Sequence, residues 1–111
     1  MAALRKKGAG EMTVEKKKDG NKLTVTITGQ VDRNTAPKLK EELLSGALEG
    51  VQELYFDLGG MDYTSSVGLR VFLDAYKEIG EDGRMVLMHL KDEVKEIFDL
   101  TGFTDFLEIE E

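Results

Sequence analysis

The chain contains no cysteine and no tryptophan, and it has a single proline and a single histidine. Without thiols it has no disulfides, thiolate metal sites or cysteine nucleophiles. With His89 alone, a multi-histidine metal site is excluded and a histidine-based triad is hard to build. No stretch approaches the roughly 20 apolar residues of a membrane-spanning helix. Residues 1–7 lack the apolar centre of a signal peptide, so the expectation is a cytoplasmic protein without membrane insertion. Positive charge is the scarcer sign: 15 Lys and Arg stand against 22 Asp and Glu, a net charge of −7. Nucleic-acid affinity comes mainly from neutralising phosphates, and an anionic membrane surface repels an acidic chain. Neither is expected as a partner.

The 111 residues suffice for one domain with one core. At 41% hydrophobic and 33% charged, the mixture is that of a globular chain rather than a disordered one. Residues 1–10, basic and with glycines near the end, read as a flexible arm, leaving 11–111 as the domain. Residues 12–16 alternate apolar and polar, and Asp19-Gly20-Asn21 signals a turn. Leu23, Val25 and Ile27 then alternate with Thr24, Thr26 and Thr28, which predicts a β-hairpin with a slightly long loop. A polar loop over 29–34 ends in Asn34 and Thr35, either of which can cap a helix, with Pro37 in the first turn. Ala36, Leu39, Leu43, Leu44, Ala47 and Leu48 follow at helical spacing, Gly46 weakens the helix and Gly50 ends it.

Residues 51–58 predict a short strand whose uneven alternation suits a central strand covered on one or both faces. Asp57 near its end is expected to be solvated or bonded to loop N–H groups. A second helix starts at Ser66 and carries Val67, Leu69, Val71, Phe72, Leu73, Ala75, Tyr76 and Ile79. Residues 84–90 fit a buried parallel strand. Lys91 or Asp92 opens a third helix with Val94, Ile97 and Phe98 on one face; Gly102 stops it and Phe103 packs back over its last turn. Phe106, Leu107 and Ile109 suggest a short last strand. The class is therefore α/β: one domain, a mixed and mostly parallel sheet of about four to five strands, an N-terminal hairpin, and helices mainly on one face. Such folds usually place their sites at the carboxyl ends of strands. The loops holding Asp32 and Ser66 both follow strands and can share that end.

Between the third strand and the second helix stands Met61-Asp62-Tyr63-Thr64-Ser65-Ser66-Val67-Gly68-Leu69-Arg70. On capping preference, Ser65 and Ser66 are a helix cap. Gly68 adds a second reading: glycine in a first helical turn costs about 1 kcal/mol relative to Ala, which is tolerated where bulk would obstruct something. A helix N-terminus favours an anion, so a hydroxyl left uncovered there is a candidate phosphorylation site or contact point. Asp32, Asp57 and Asp62 lie near polar loops, but nothing in their spacing fixes a working pair, and no nucleophile has an identifiable base. With no phosphate-binding P-loop either, the expectation is a protein that is not an enzyme and needs no cofactor or metal. His89, near the end of an apolar strand, reads as a partly covered structural residue rather than a switch. Met61, Met85 and Met88 read as core filler.

Tyr63-Thr64-Ser65-Ser66-Val67-Gly68-Leu69-Arg70 resembles the phosphoserine loop of the STAS domain, the fold of bacterial anti-sigma factor antagonists. Gly29-Gln30-Val31-Asp32 followed by Thr35-Ala36-Pro37 resembles that family's first loop and helix start. Residues 51–58 resemble its central strand, and Gly102-Phe103 with Leu107-Glu108-Ile109 its C-terminal end. The match runs from about Met12 to the last residue. It implies a regulator of transcription in a stress response, which binds an anti-sigma factor that is also a serine kinase and so releases a sigma factor. The kinase would switch the domain off by phosphorylating its serine, and a phosphatase would reverse this. Alignment on Gly68-Leu69 implies Ser66 as the acceptor. Ser65 is second choice, since several antagonists carry an acid at that position. The resemblance also implies Asp32, Asn34, Thr35, Thr64, Ser65, Ser66 and Gly68 as the partner-binding face. Two alternatives remain: an accessory or docking subunit of a membrane transport complex, and a structural or small-ligand module with an ordinary capped helix.

Overall fold

The computed structural model describes residues 12–102, 105 and 107–110. The expected arm over 1–10 lies outside the described residues, as do Phe103 and Phe106. The elements are β1 (Met12–Asp19), β2 (Lys22–Val31), α1 (Ala36–Leu44), β3 (Glu53–Thr64), α2 (Ser66–Ile79), β4 (Arg84–Met88), α3 (Asp92–Leu100) and β5 (Glu108–Glu110). The strands lie side by side in chain order, β1-β2-β3-β4-β5. β1 runs antiparallel to β2, and every other pair is parallel. The α/β class, the opening hairpin and the last strand are as the periodicity predicts.

Crossovers of one hand between successive strands put their helices on one side of a sheet. Burial follows that division. Leu23, Leu54 and Met85 stand abreast across β2, β3 and β4, as do Val25, Phe56 and Leu87, and all six are buried. α1 adds Ala36, Leu39 and Leu43 to the same core, α2 adds Leu69, Val71, Phe72 and Ala75, and α3 adds Val94 and Phe98. At the centre Phe72 meets Phe56 edge-on at 4.9 Å and Phe98 at 5.5 Å. One ring of α2 thereby ties β3 to α3, in the geometry that aromatic quadrupoles prefer.

The other face of the sheet carries Thr24, Thr26, Tyr55, Asp57 and Arg84. β3 therefore alternates more cleanly than its letters suggest. Tyr55 hides the pattern because its ring lies on this open face beneath charged groups. Lys22 Nζ sits 4.2 Å from the ring centroid, and Arg84 donates to the Tyr55 hydroxyl at 2.9 Å. Arg84 also pairs with Glu108. Val86, between Tyr55 and Glu108 in the register, is buried.

Several boundaries differ from expectation, among them β4, which ends at Met88 rather than Leu90. The hairpin loop is only Gly20-Asn21, because Lys16, Lys17 and Lys18 continue β1 to the pair Asp19 and Lys22. Lysines are acceptable on an edge strand, where their charge discourages further pairing. α1 stops at Leu44 rather than near Gly50, with Gly46 at φ 110° in the turns that follow. β3 is 12 residues long, so what reads as a loop before the serines is mostly strand.

Phe72→Ala should cost about 3–5 kcal/mol, the usual loss for a buried aromatic ring. Urea unfolding with an unchanged m-value would show it, and a loss under about 1 kcal/mol would mean that the cluster around Phe72 is not the centre of the core.

Candidate functional site

The site begins with how β2 and β3 end. They pair in parallel from Lys22 and Glu53 out to Val31 and Thr64, through irregularities at Thr26/Thr28 and Gly29/Gln30. Residues 29–31, expected in a loop, thus belong to β2. Gly29 takes φ 93°, and a Cβ on Gly60 would stand 2.7 Å from Thr28 Cγ2, so both glycines are needed where the ladder is irregular. Beyond Asp57 the β4 partner is gone, and β2 and β3 project together. The loop after β2 and the start of α2 therefore lie side by side, joined by the Ser65 N–H donating to the Val31 carbonyl at 2.8 Å.

In the first loop, the Asp32 carboxylate accepts from the backbone N–H of Asn34 at 2.9 Å and of Thr35 at 3.1 Å. The Thr35 hydroxyl donates to the Gln30 carbonyl at 2.8 Å and accepts from the Asp32 N–H at 2.9 Å. Thr35 is the N-cap residue of α1 by position, but its hydroxyl binds back into the loop and does not cap the helix. Asp32 and Thr35 are half-buried and fix the loop's shape, and Asn34 is exposed.

At the second rim the two serines separate. Ser65 is extended, with φ −92° and ψ 178°, and its side chain accepts from the Gly68 N–H at 3.3 Å. It is the N-cap. Ser66 is the first residue of α2, exposed, and its hydroxyl makes no hydrogen bond among the described residues. Thr64 and Gly68 are both buried. A Cβ on Gly68 would lie 2.3 Å from Thr64 Oγ1 and 2.6 Å from Val31 Cγ1. The obstruction that glycine avoids is therefore inside, against β2 and β3. Of the seven residues expected at a partner face, Asp32, Asn34, Thr35, Ser65 and Ser66 have surface there, while Thr64 and Gly68 hold the rim from beneath. Val31, which closes the rim from below, is missed by the expectation of a loop over 29–34; the signal that points to it is the alternation of Leu23, Val25 and Ile27 continued through Gly29.

A second cluster lies at the end of β4. His89 has φ 62°, in the left-handed region unusual for a side-chain-bearing residue. Its Nδ1 is 3.0 Å from Asp57 Oδ1, which also accepts from the Gly59 N–H at 3.2 Å. His89 is exposed, more open than expected, and Asp57 is bonded to a loop N–H as expected. The hydrogen bond from His89, aided by the Gly59 N–H and the charge of His89, holds the Asp57 carboxyl below the usual carboxylate range against the opposing effect of burial. Asp62 pairs with Lys91 nearby.

Two outcomes are expected. Helix propensity alone would have Gly68→Ala stabilise by about 1 kcal/mol; the contacts at Val31 and Thr64 instead predict destabilisation by about 1–3 kcal/mol, and the sign in urea unfolding decides. For Asp57, a depressed folded-state pKa stabilises the fold above the unfolded value of about 4. That contribution is lost as pH falls through the lower folded value. The stability advantage of the native chain over Asp57→Asn should therefore shrink in denaturation curves taken from pH 5 towards pH 2. An advantage that stays constant would contradict it.

The description "STAS domain" matches residues 13–111. The "Anti-sigma-B factor antagonist" of Listeria monocytogenes is 35% identical over 96 residues, covering 85% of this chain and 83% of that one. Among solved structures, an anti-sigma factor antagonist from Mycobacterium paratuberculosis superposes with a TM-score of 0.82 at 20% identity, over 90% of this chain and 86% of that one. The antagonist SpoIIAA, solved in unphosphorylated and phosphorylated forms, gives TM-scores of 0.70 and 0.69 at 12% and 13% identity, over 91% and 87% of this chain and 88% and 90% of the other. Among the described residues no helix is long and apolar enough to cross a membrane. With residues 13–111 matched by the family and a relative 35% identical over most of both chains, the chain belongs to the STAS domain family.

Proposed function

We propose that this protein is an anti-sigma factor antagonist of the cytoplasm, a binding protein rather than an enzyme, switched off by phosphorylation of Ser66. Its partner is an anti-sigma factor with serine kinase activity, and docking on the rim of Ser66 and the Asp32 loop frees a sigma factor. The kinase moves the terminal phosphoryl group of ATP to the Ser66 oxygen, releasing ADP and the hydroxyl proton, and a phosphatase hydrolyses the phosphoester with water, restoring the hydroxyl and releasing inorganic phosphate.

The supporting observation is the free hydroxyl of Ser66. Ser65 already caps α2, so Ser66 is spared for other chemistry, and it sits exposed on the first turn of the helix. A phosphoserine carries about −1.5 to −2 charges. At a helix N-terminus the domain tolerates them, because the N–H groups and the helix dipole favour negative charge. In the middle of a docked interface the same charges are stripped of water without a partner, which costs several kcal/mol. The switch therefore acts on binding and leaves the fold alone. Support also comes from the Listeria relative, by its name an antagonist of this class, and from SpoIIAA, a protein of the same fold that exists phosphorylated.

Ser66→Asp should weaken binding to the anti-sigma factor by about 100-fold or more, roughly 3 kcal/mol, with folding stability changed by less than about 0.5 kcal/mol. Ser66→Ala should bind constitutively and take no phosphate from the kinase. Phosphopeptide mass spectrometry of the native cells assigns the acceptor: phosphate on Ser65 would move it by one residue, and tight binding by Ser66→Asp would end the switch.

A further inference from the structure

Among the described residues three large apolar side chains are exposed: Tyr63 at 44%, Val67 at 46% and Leu100 at 82%. Two of the three flank Ser66 in the chain. Tyr63 is one residue short of the end of β3, opposite Gln30 of β2, and Val67 is in the first turn of α2. Arg33, exposed in the loop two residues beyond Val31, completes the rim. It makes no ion pair among the described residues, whereas Arg70 pairs with Asp74 and Asp62 with Lys91. The third exposed residue lies elsewhere. α3 leaves the carboxyl end of β4 and returns to enter β5 in parallel, so Leu100 at its far end is at the opposite end of the sheet.

We propose that Tyr63 and Val67 are the apolar anchors of the docked anti-sigma factor, and that Arg33 matches an acidic rim on that partner. This rests on the function proposed above and deepens it. A phosphate on Ser66 blocks docking strongly only if water cannot follow it into the interface, since a solvated charge there would cost little. The exposed apolar side chains that flank Ser66 in the chain supply that seal. Aromatic residues are common anchors at the dry centre of interfaces, and contacts around them act chiefly by excluding water. Asp32 beside it spends its carboxylate on two backbone N–H groups of its own loop, so Arg33 is a cation of this rim left without an ion pair among the described residues. On a chain of net charge −7, an exposed guanidinium without an ion pair is available to an acidic group of the partner, where it favours the correct register.

The test uses the full chain against each purified serine-kinase anti-sigma factor of the source cell, with binding measured by surface plasmon resonance at several salt concentrations. The variants are Tyr63→Thr with Val67→Ala, Val67→Ala alone, Arg33→Gln, Leu100→Ala and Ser66→Asp, each checked by thermal melting. All five positions are exposed, so the fold should hold, and Val67→Ala alone keeps a good helix former should the double variant melt early. The expected result is a Kd raised about 10-fold or more by the double variant, through faster dissociation. Arg33→Gln should flatten the salt dependence, and Leu100→Ala should bind like the native chain. The inference is overturned, with the function intact, if Ser66→Asp abolishes binding while the double variant binds like the native chain, or if Leu100→Ala weakens binding as much. Failure of the native chain to bind any of these kinases would overturn both.

Discussion

The structure depends on keeping β2 and β3 paired to their last residues and laying α2 directly over that end. No β-carbon fits between α2 and the strands at this point. Gly68 brings the helix against Val31 and Thr64 at distances where an added methyl group would overlap both, and the Ser65 N–H then bonds to the Val31 carbonyl. Everything at the rim is referred to that junction: the angle at which α2 departs, the separation of the two loops, and the outward position of Ser66. A close-packed interior transmits displacement, so a shift of this contact would move Ser66 and the Asp32 loop relative to each other.

The two serines illustrate a division of labour that electrostatics favours. A helix start needs an oxygen to accept a backbone N–H, and Ser65 supplies it. Had Ser66 been the cap, phosphorylating it would have cost the helix its cap. With the two roles on adjacent residues, the modified hydroxyl lies within the field of the helix N-terminus without being part of its hydrogen bonding. Asp32 does similar work across the rim. Its carboxylate is occupied by two backbone N–H groups of its own loop, so the loop holds its shape before any partner arrives.

How much of this could be read from the residues depends on which force set each feature. Leu23, Val25 and Ile27 and the helical spacing of α2 are set by burial, which leaves a periodic trace, and they are legible. The end of α1 is set by the left-handed backbone at Gly46, but the apolar spacing continues through Ala47 and Leu48 and masks it. The length of β3 was hidden because Gly59, Gly60 and Asp62 read as loop residues, although they sit in a ladder whose irregular register needs small residues. Tyr55 reads as apolar while lying under Lys22 and Arg84 on the open face. At the site, Gly68 was visibly a residue that bulk would disturb. What it avoids is a contact between segments more than thirty positions apart in the chain, Val31 and α2, which no local pattern encodes. The exposure of Tyr63 and Val67 was unreadable for the same reason.

The strand order also bears on how the molecule comes into being. Because every strand lies next to its predecessor, each joins a sheet edge that has already been synthesised, and no pairing waits for a distant segment. Each parallel pairing still has to close over its helical crossover, as Lys22 does with Glu53, which is the slower kind of contact. The junction of Val31, Thr64 and Gly68 is complete once α2 has emerged from the ribosome, with β4, α3 and β5 still to come. The rim thus belongs to the part of the chain made first, and the later elements extend a sheet whose working end is already built.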